Sequence, residues 1–226
     1  PTMLPEERGS GAFTFRIFNN NFFTCASIHL VDEGVDTGPV LLFTKKRSIK
    51  KDSVPEDFLV NSHKDYCILI KKFVMKIKNK GLFKVKKQII KKSFYLPRFF
   101  TDMMGAIDWS WDGRDISSFI KGCSTPYSGA WCKIFYKGKK IKIKIFDCKF
   151  IKRSNKIHPF LLGRIFYQNN KIIKVYVKKG VIEIPIKKIS YSNKKPLKKY
   201  EGKSLFNTYE DLIIAKSFQP NIFKYK

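Results

Sequence analysis

The sequence predicts an α/β chain in two parts, a mixed segment of helices and strands followed by a small, closed or nearly closed β-barrel. Three observations carry this. A helix-start signature, Asp52-Ser53-Val54-Pro55-Glu56-Asp57, opens a long apolar-striped segment. In Lys140-Ile141-Lys142-Ile143-Lys144-Ile145 the period is two, with Ile facing inward and Lys outward. Turn pairs at Lys137-Gly138, Asn169-Asn170 and Lys179-Gly180 cut the region beyond residue 130 into hairpins.

In chain order, Pro5-Glu6-Glu7-Arg8-Gly9-Ser10-Gly11 is a Pro/Gly loop, and Ala12 to Phe18 a short helix closed by Asn19-Asn20-Asn21. Thr24 to Val31 reads as a strand, Asp32 to Gly38 as a loop, and Pro39 to Thr44 as a second strand. The long helix runs from about Asp52 to Lys80, with Phe58, Leu59, Tyr66, Leu69, Ile70, Phe73 and Ile77 as its apolar stripe. Gly81 stops it. Phe83 to Gly105 keeps no sustained period, breaks at Leu96-Pro97 and reads as a linker. Asp112-Gly113-Arg114-Asp115 opens a short helix, Ile116 to Lys121, and Gly122 ends it. Strands follow at about 130–136, 140–147, 162–168, 171–178 and 181–187. A last amphipathic turn, Tyr209 to Phe218, is expected to pack on an earlier domain. The expected organisation is a first domain at 1–82, a linker at 83–105, a barrel domain at 106–190 and an extension at 191–226.

Length and composition bound the possibilities. The 226 residues fit one large domain or two modest ones, and 43% apolar with 15% aromatic residues is ample for a core. Lys interrupts every apolar run far short of the roughly 20 residues a membrane span needs. No signal peptide is visible, so a cytoplasmic location is expected. The chain begins with Pro1 instead of Met, which reads as a truncation. Five scattered Cys and three dispersed His offer no zinc spacing, so reduced thiols and no metal are expected. The formal charge is +28, yet only 7 of the 46 basic residues are Arg, and the Lys are spread over every element. Two readings stay open: an electrostatic footprint for nucleic acid or another anion, or Lys at solvated positions in an AT-rich genome.

Two constellations carry more specific chemistry. The first is Pro1-Thr2-Met3-Leu4-Pro5-x-x-Arg8-Gly9, then Ile28-His29-Leu30-Val31-Asp32-Glu33-Gly34-Val35-Asp36-Thr37-Gly38-Pro39. By itself Asp36 is an acid/base candidate or a turn-former, and His29 a catalyst or a structural histidine. The second is Gly105-Ala106-Ile107-Asp108-Trp109-Ser110 with Pro126-Tyr127-Ser128-Gly129-Ala130-Trp131, whose Trp residues read as core.

In this order and spacing the first constellation resembles the formyltransferases that use 10-formyltetrahydrofolate. Their hallmark is Asn-x-His-Pro-Ser-x-Leu-Pro-x-x-x-Gly, followed after a helix by a strand and an Asp-x-Gly-x-Asp-x-Gly loop. Thr2 stands where Ser is usual, and the family's Asn and His would lie just before Pro1. The second constellation is similar to the start of the carboxyl-terminal domain of methionyl-tRNA formyltransferase and its sugar-modifying relatives.

The resemblance implies a partial Rossmann-like formyltransferase domain followed by an OB-like barrel, with 10-formyltetrahydrofolate as formyl donor. It places Asp36 on the third catalytic member of the family. His29 falls on a histidine that some branches carry seven residues earlier. It further implies that Asp32, Glu33, Gly34 and Val35 offer backbone groups to the pterin, and that Arg8 and Gly9 line the acceptor entrance. The piece alone is expected to be inactive, since the oxyanion donors fall upstream. His29, where the tRNA branch usually carries Met, favours a nucleotide-linked amino sugar as acceptor, while the basic barrel favours tRNA. A non-catalytic RNA-binding module is the contrasting class, with Tyr136, Phe146, Phe150, Phe166, Tyr167 and Tyr176 as possible stacking platforms.

Overall fold

A computed structural model describes residues 2–89, 91, 93–192 and 199–218. Pro1 of the first motif, and 193–198 and 219–226 of the expected extension, lie outside the described residues. The chain divides into two compact units, Pro1–Phe99 and Phe100–Lys226, of mixed helix and strand.

The first unit runs β1 (Glu7–Arg8), α1 (Ala12–Phe18), β2 (Phe23–Thr24), β3 (Ser27–His29), β4 (Val40–Phe43), β5 (Arg47–Ser48), α2 (Pro55–Lys78) and β6 (Phe94–Tyr95). Three two-stranded pairs hold it: β1 with β6 in parallel, and β2 with β5 and β3 with β4 antiparallel. The strand expected over 24–31 is thus two pieces, because β2 turns to β5 while β3 pairs with β4.

Helix α2 begins within the predicted signature, with Pro55 in its first turn and the Asp57 carboxylate accepting the Val54 amide at 2.9 Å, but its N-cap is Val54 and not a capping Asp or Ser side chain. Its buried face is narrower than expected. Phe58, Ser62, Asp65 and Leu69 turn inward, whereas Leu59, Ile70 and Ile77 are exposed. The two polar residues on that face are satisfied: Asp65 pairs with Arg47 at 3.3 Å, and Ser62 Oγ donates to the Leu59 carbonyl at 2.8 Å. Arg16 on α1 is fully buried and pairs with Glu7 on β1, and its Nη1 donates to the Phe23 carbonyl at 3.1 Å. A buried guanidinium is tolerable only with such partners.

The stretch at 83–99 is integrated into the unit, in contrast to the expected linker. Lys86 exchanges two backbone hydrogen bonds with Val40, each 2.9 Å, Phe94 and Tyr95 form β6, and Phe99 packs on Phe15 and Phe18. Its extended backbone supplies edge partners that the short strands lack, which an absence of periodicity does not reveal.

The second unit contains α3 (Thr101–Met104), α4 (Gly113–Gly122), β7 (Ala130–Tyr136), β8 (Lys139–Ile145), β9 (Lys149–Lys152), β10 (Ile165–Gln168), β11 (Ile172–Val177), β12 (Gly180–Pro185), β13 (Ile189–Tyr191), β14 (Leu205–Phe206) and α5 (Tyr209–Ser217). Asp112 caps α4 by accepting the Arg114 amide at 3.1 Å. Among the described residues the strands pair in two four-stranded sheets, β10-β11-β12-β9 and β13-β8-β7-β14, and not in one closed barrel. After β8 the chain turns at Phe146–Cys148, and β9 pairs with β12. An Arg164–Ser204 bridge and the Leu205 amide on the Gly163 carbonyl (2.8 Å) join the sheets at one corner.

The Ile/Lys alternation holds: Ile143 and Ile145 are fully buried, while Lys144 reaches out to Asp102 at 2.6 Å. Trp109 and Trp131 are buried, as core. Residues 199–218, expected beyond the barrel, belong to this unit. Tyr200 and Leu205 are buried, and Leu212 and Ala215 of α5 pack on Ala106 and Trp131. The last helix therefore docks within its own unit, where the sequence led us to expect an earlier domain.

Candidate functional site

The loop from Asp32 to Gly38 leaves β3 and returns into β4. Two carboxylates shape it differently. Asp32 Oδ1 accepts the Gly34 amide at 3.2 Å and the Thr37 hydroxyl at 2.5 Å, so its side chain folds the loop onto itself. Asp36 has a φ of 53°, the left-handed region that Asp tolerates better than most residues. Gly38 is fixed by close approach, since a Cβ there would lie 1.8 Å from the Leu30 carbonyl oxygen. The Leu30 amide in turn donates to the Pro39 carbonyl at 2.9 Å, closing the base of the loop.

This geometry aims the Asp36 carboxylate at two partners. Oδ2 accepts the Gly9 amide at 2.8 Å, and Oδ1 lies 3.5 Å from His29 Nε2. Both side chains are partly exposed, 33% for Asp36 and 22% for His29. The His29 Nδ1 lies 2.8 Å from the Leu30 carbonyl, a contact that places its proton on Nδ1. An imidazole so oriented attracts the carboxylate through Nε2 only when it is protonated there as well, and 3.5 Å is longer than a good hydrogen bond.

Arg8 donates from Nη1 to the Val35 carbonyl at 3.2 Å and from Nε to Ser93 Oγ at 3.0 Å. All the candidate residues therefore gather around one loop: Arg8, Gly9, His29 and Asp36 in contact, with Asp32, Glu33, Gly34 and Val35 as its exposed crest. Such a site can hold a carboxylate beside a backbone donor and an imidazole, the arrangement of a general base with its positioning groups.

Sequence reasoning missed two residues of the site, both in the stretch read as a linker. Gln88 Nε2 donates to the carbonyls of Asp36 (2.9 Å) and Gly38 (2.5 Å), and Ser93 receives Arg8. A neutral amide inside the lysine-rich run Lys84–Lys91 was the available signal for Gln88. A cavity of about 510 Å³ lies in the same unit, lined by Met3, Leu4, Ala26, Val40 and Phe43 among others, with Gln88 on its wall. Asp36 and His29 do not line it. Among the described residues no three His, Cys, Asp or Glu are gathered to hold a metal, and no helix is long and apolar enough to cross a membrane. Of the six possible stacking aromatics only Tyr167 is exposed, and Phe166 and Tyr176 stack on each other with centroids 4.0 Å apart.

Comparison with known proteins places this architecture. Residues 101–209 match the formyl transferase C-terminal domain family. The chain is 25% identical over 185 residues to methionyl-tRNA formyltransferase of Flavobacterium johnsoniae, covering 81% of this chain and 56% of the relative. It is 32% identical over 147 residues to the Caldanaerobacter subterraneus enzyme of that name, 63% of this chain and 44% of the relative. Its fold is similar to the N-formyltransferase from Helicobacter canadensis solved with folinic acid and dTDP-3-aminofucose. That likeness has a TM-score of 0.57 at 19% identity and covers 80% of this chain and 62% of that one. HypX from Aquifex aeolicus gives 0.56 at 17% identity, over 80% and 31%.

Residues 101–209 thus carry the formyl transferase C-terminal domain, and the chain as a whole is similar to formyltransferases. It spans 56% and 63% of the length of two of the curated relatives it matches.

Proposed function

We propose that the chain is part of an enzyme that transfers a formyl group from 10-formyltetrahydrofolate to a primary amine, with Asp36 as catalytic carboxylate. The observation that carries this reading is the Asp36 carboxylate held between the Gly9 amide and His29 on a loop of the family's pattern. In the reaction the amine nitrogen bonds to the formyl carbon, giving an oxyanion and a protonated nitrogen. Asp36 takes that proton, directly or through water, and the carbon–nitrogen bond to the folate breaks as its nitrogen is protonated. Donors to the oxyanion supply several kcal/mol in such reactions. By the family pattern they would be an Asn and a His placed just before the position of Pro1.

The loop fits a pterin, whose edge needs paired donors and acceptors more than charge. The backbone of Asp32, Glu33, Gly34 and Val35 is exposed for this, and the Asp32 carboxylate is spent on folding the loop. Arg8 and Gly9, which donate to the Val35 carbonyl and the Asp36 carboxylate, are where we place the acceptor entrance. The first unit is then half of a Rossmann-like domain, its parallel β1–β6 pair included, and the second an OB-like domain whose sheets join at Arg164 and Ser204. A cytoplasmic enzyme without metal is the corresponding reading.

The acceptor we favour is a nucleotide-linked amino sugar, because His29 stands where the tRNA branch of the family usually carries Met. A second reading, aminoacyl-tRNA, is favoured by the curated relatives, which are methionyl-tRNA formyltransferases. The test is formyl transfer from labelled 10-formyltetrahydrofolate by the complete polypeptide, offered amino-sugar nucleotides and methionyl-tRNA. Transfer to neither overturns the reading. Transfer by residues 1–226 alone overturns the placement of the oxyanion donors upstream.

A further inference from the structure

We infer that Gln88 is a positioning residue for Asp36, setting the direction of its carboxylate through the backbone of the 36–38 turn; this rests on the formyl-transfer reading above. One amide nitrogen, Nε2, reaches both the Asp36 and the Gly38 carbonyl, at 2.9 and 2.5 Å, and so brackets Thr37. These contacts span 52 and 50 residues of sequence, so they are tertiary ties and not part of the loop's own turn. The side-chain orientation is fixed by them, since a flipped amide would set its oxygen against two carbonyl oxygens.

The second observation is what Gln88 forgoes. Its Oε1 is buried with no hydrogen-bond partner among the described residues. A buried acceptor left unsatisfied is costly. Both hydrogens of the amide nitrogen are thus committed to the loop, while its oxygen meets no protein donor among the described residues.

The turn needs that service. Asp36 occupies the left-handed region at φ 53°, and its carboxylate bond to Gly9 depends on that backbone angle. Arg8 holds the preceding carbonyl, of Val35, and Gln88 the next. Releasing Gln88 frees the carbonyl side of Asp36 to rotate, and the carboxylate moves with it.

The test uses two readouts on Gln88→Glu, which keeps the side chain's shape and replaces both donors with an oxygen, and on Gln88→Met. In the 226-residue chain, hydrogen exchange of the Gly9 amide, bonded to Asp36, is compared with that of the Gly11 amide, bonded to the Leu96 carbonyl at 3.0 Å. Gly9 should lose protection about tenfold or more while Gly11 keeps it, since only the first bond depends on the turn. Unchanged Gly9 exchange in both variants overturns the inference.

In the complete enzyme, kcat should fall about tenfold to a hundredfold, the scale for misplacing a reacting group by about 1 Å, with KM for the folate donor nearly constant. In an Asp36→Asn background the same change should cost almost nothing further, because the group it positions is gone. Additive losses, or a rise in KM alone, would make Gln88 merely structural and overturn the inference. A wild-type enzyme without formyl transfer sinks the functional reading by itself, and Gly9 exchange then decides whether Gln88 holds Asp36.

Discussion

Gly9 donates its amide proton to the carboxylate of Asp36 at 2.8 Å, across 27 residues of sequence. Gly9 has a φ of 90°, and a Cβ there would lie 2.5 Å from the Leu96 carbonyl oxygen, so no side chain is accommodated. The amide that orients the Asp36 carboxylate is therefore held by β1, by the β6 segment beside it, and by the absence of a side chain.

This relationship predicts the behaviour of Asp36→Asn. Asn still offers an oxygen to Gly9 and tolerates the same φ, so the loop should keep its shape. Turnover of the complete enzyme should nevertheless fall by about two to four orders of magnitude, the scale for losing a general base and its charge. Affinity for the folate should change far less, because the contacts proposed for the pterin are backbone groups. His29→Ala should cost less than Asp36→Asn. Steady-state kinetics of the two variants check this, and a larger loss for His29→Ala would make His29 the proton acceptor.

Much of this was legible in the residues. The helix start at Val54–Asp57, the Ile/Lys strand and the Asp32–Gly38 loop carry local signals, and each formed close to where those signals lie. Arg8, Gly9, His29 and Asp36, singled out by the resemblance, are brought together at one loop. Gln88, Ser93 and Leu96 were not singled out. Their contribution is a contact with a distant turn or strand, made from an extended stretch without period or punctuation. Strand β9 was missed for a related reason: Lys149-Phe150-Ile151-Lys152 does not alternate, and its pairing with β12 is set by tertiary context. The barrel expectation erred in counting strands without a rule for which edges meet.

The second unit should fold by itself only when its carboxyl-terminal elements are included. Tyr200 is fully buried, Leu205 pairs β14 to the edge of β7, and α5 covers Trp131 and Ala106. Burying each such large side chain stabilises by about 1.5–3 kcal/mol, against about 5–15 kcal/mol for a whole domain. A fragment of residues 100–218 should unfold cooperatively on heating, whereas 106–190 should show a broad transition or none. Equal melting temperatures by circular dichroism would count against this division.

Acid should destabilise that fragment through Asp102 and Asp112, in addition to Asp211, whose carboxyl beside Lys133 is also held low. The hydrogen bond from Lys179 holds Asp112 below its ordinary value of 3.8, and the one from Lys144 does the same for Asp102. In each case the folded state binds the proton less readily than the unfolded chain. The stability they contribute is full above the ordinary value and is lost as pH falls through the lowered ones. Both pairs are partly solvent-exposed, so the loss should be modest and smaller at high salt. Asp112→Asn keeps the cap on α4 and removes the charge. Combined with Asp102→Asn it should flatten the fall in melting temperature below about pH 4. An unchanged slope would assign the acid sensitivity to other groups.

The last prediction concerns the acceptor, where two features of the chain pull apart. His29 lies 3.5 Å from Asp36, at the position where the tRNA branch usually carries Met, and this favours a small amino sugar on a nucleotide. The charge of +28 favours a polyanion, but it is written almost wholly in Lys and spread over both units. Spread charge raises general attraction without defining a track for a phosphate backbone. The two acceptors respond differently to salt. A tRNA held by several phosphate contacts should lose orders of magnitude in affinity between about 50 and 200 mM salt, because each neutralised phosphate releases a counterion. A sugar nucleotide with two phosphates has little to release. We expect efficient formylation of the sugar nucleotide, with a KM that rises only a few-fold over that range. Steady-state assays of the complete enzyme on both acceptors measure this directly. Efficient and steeply salt-sensitive formylation of methionyl-tRNA would reverse the choice of acceptor, leaving Asp36 and its loop with the same chemistry on a larger substrate.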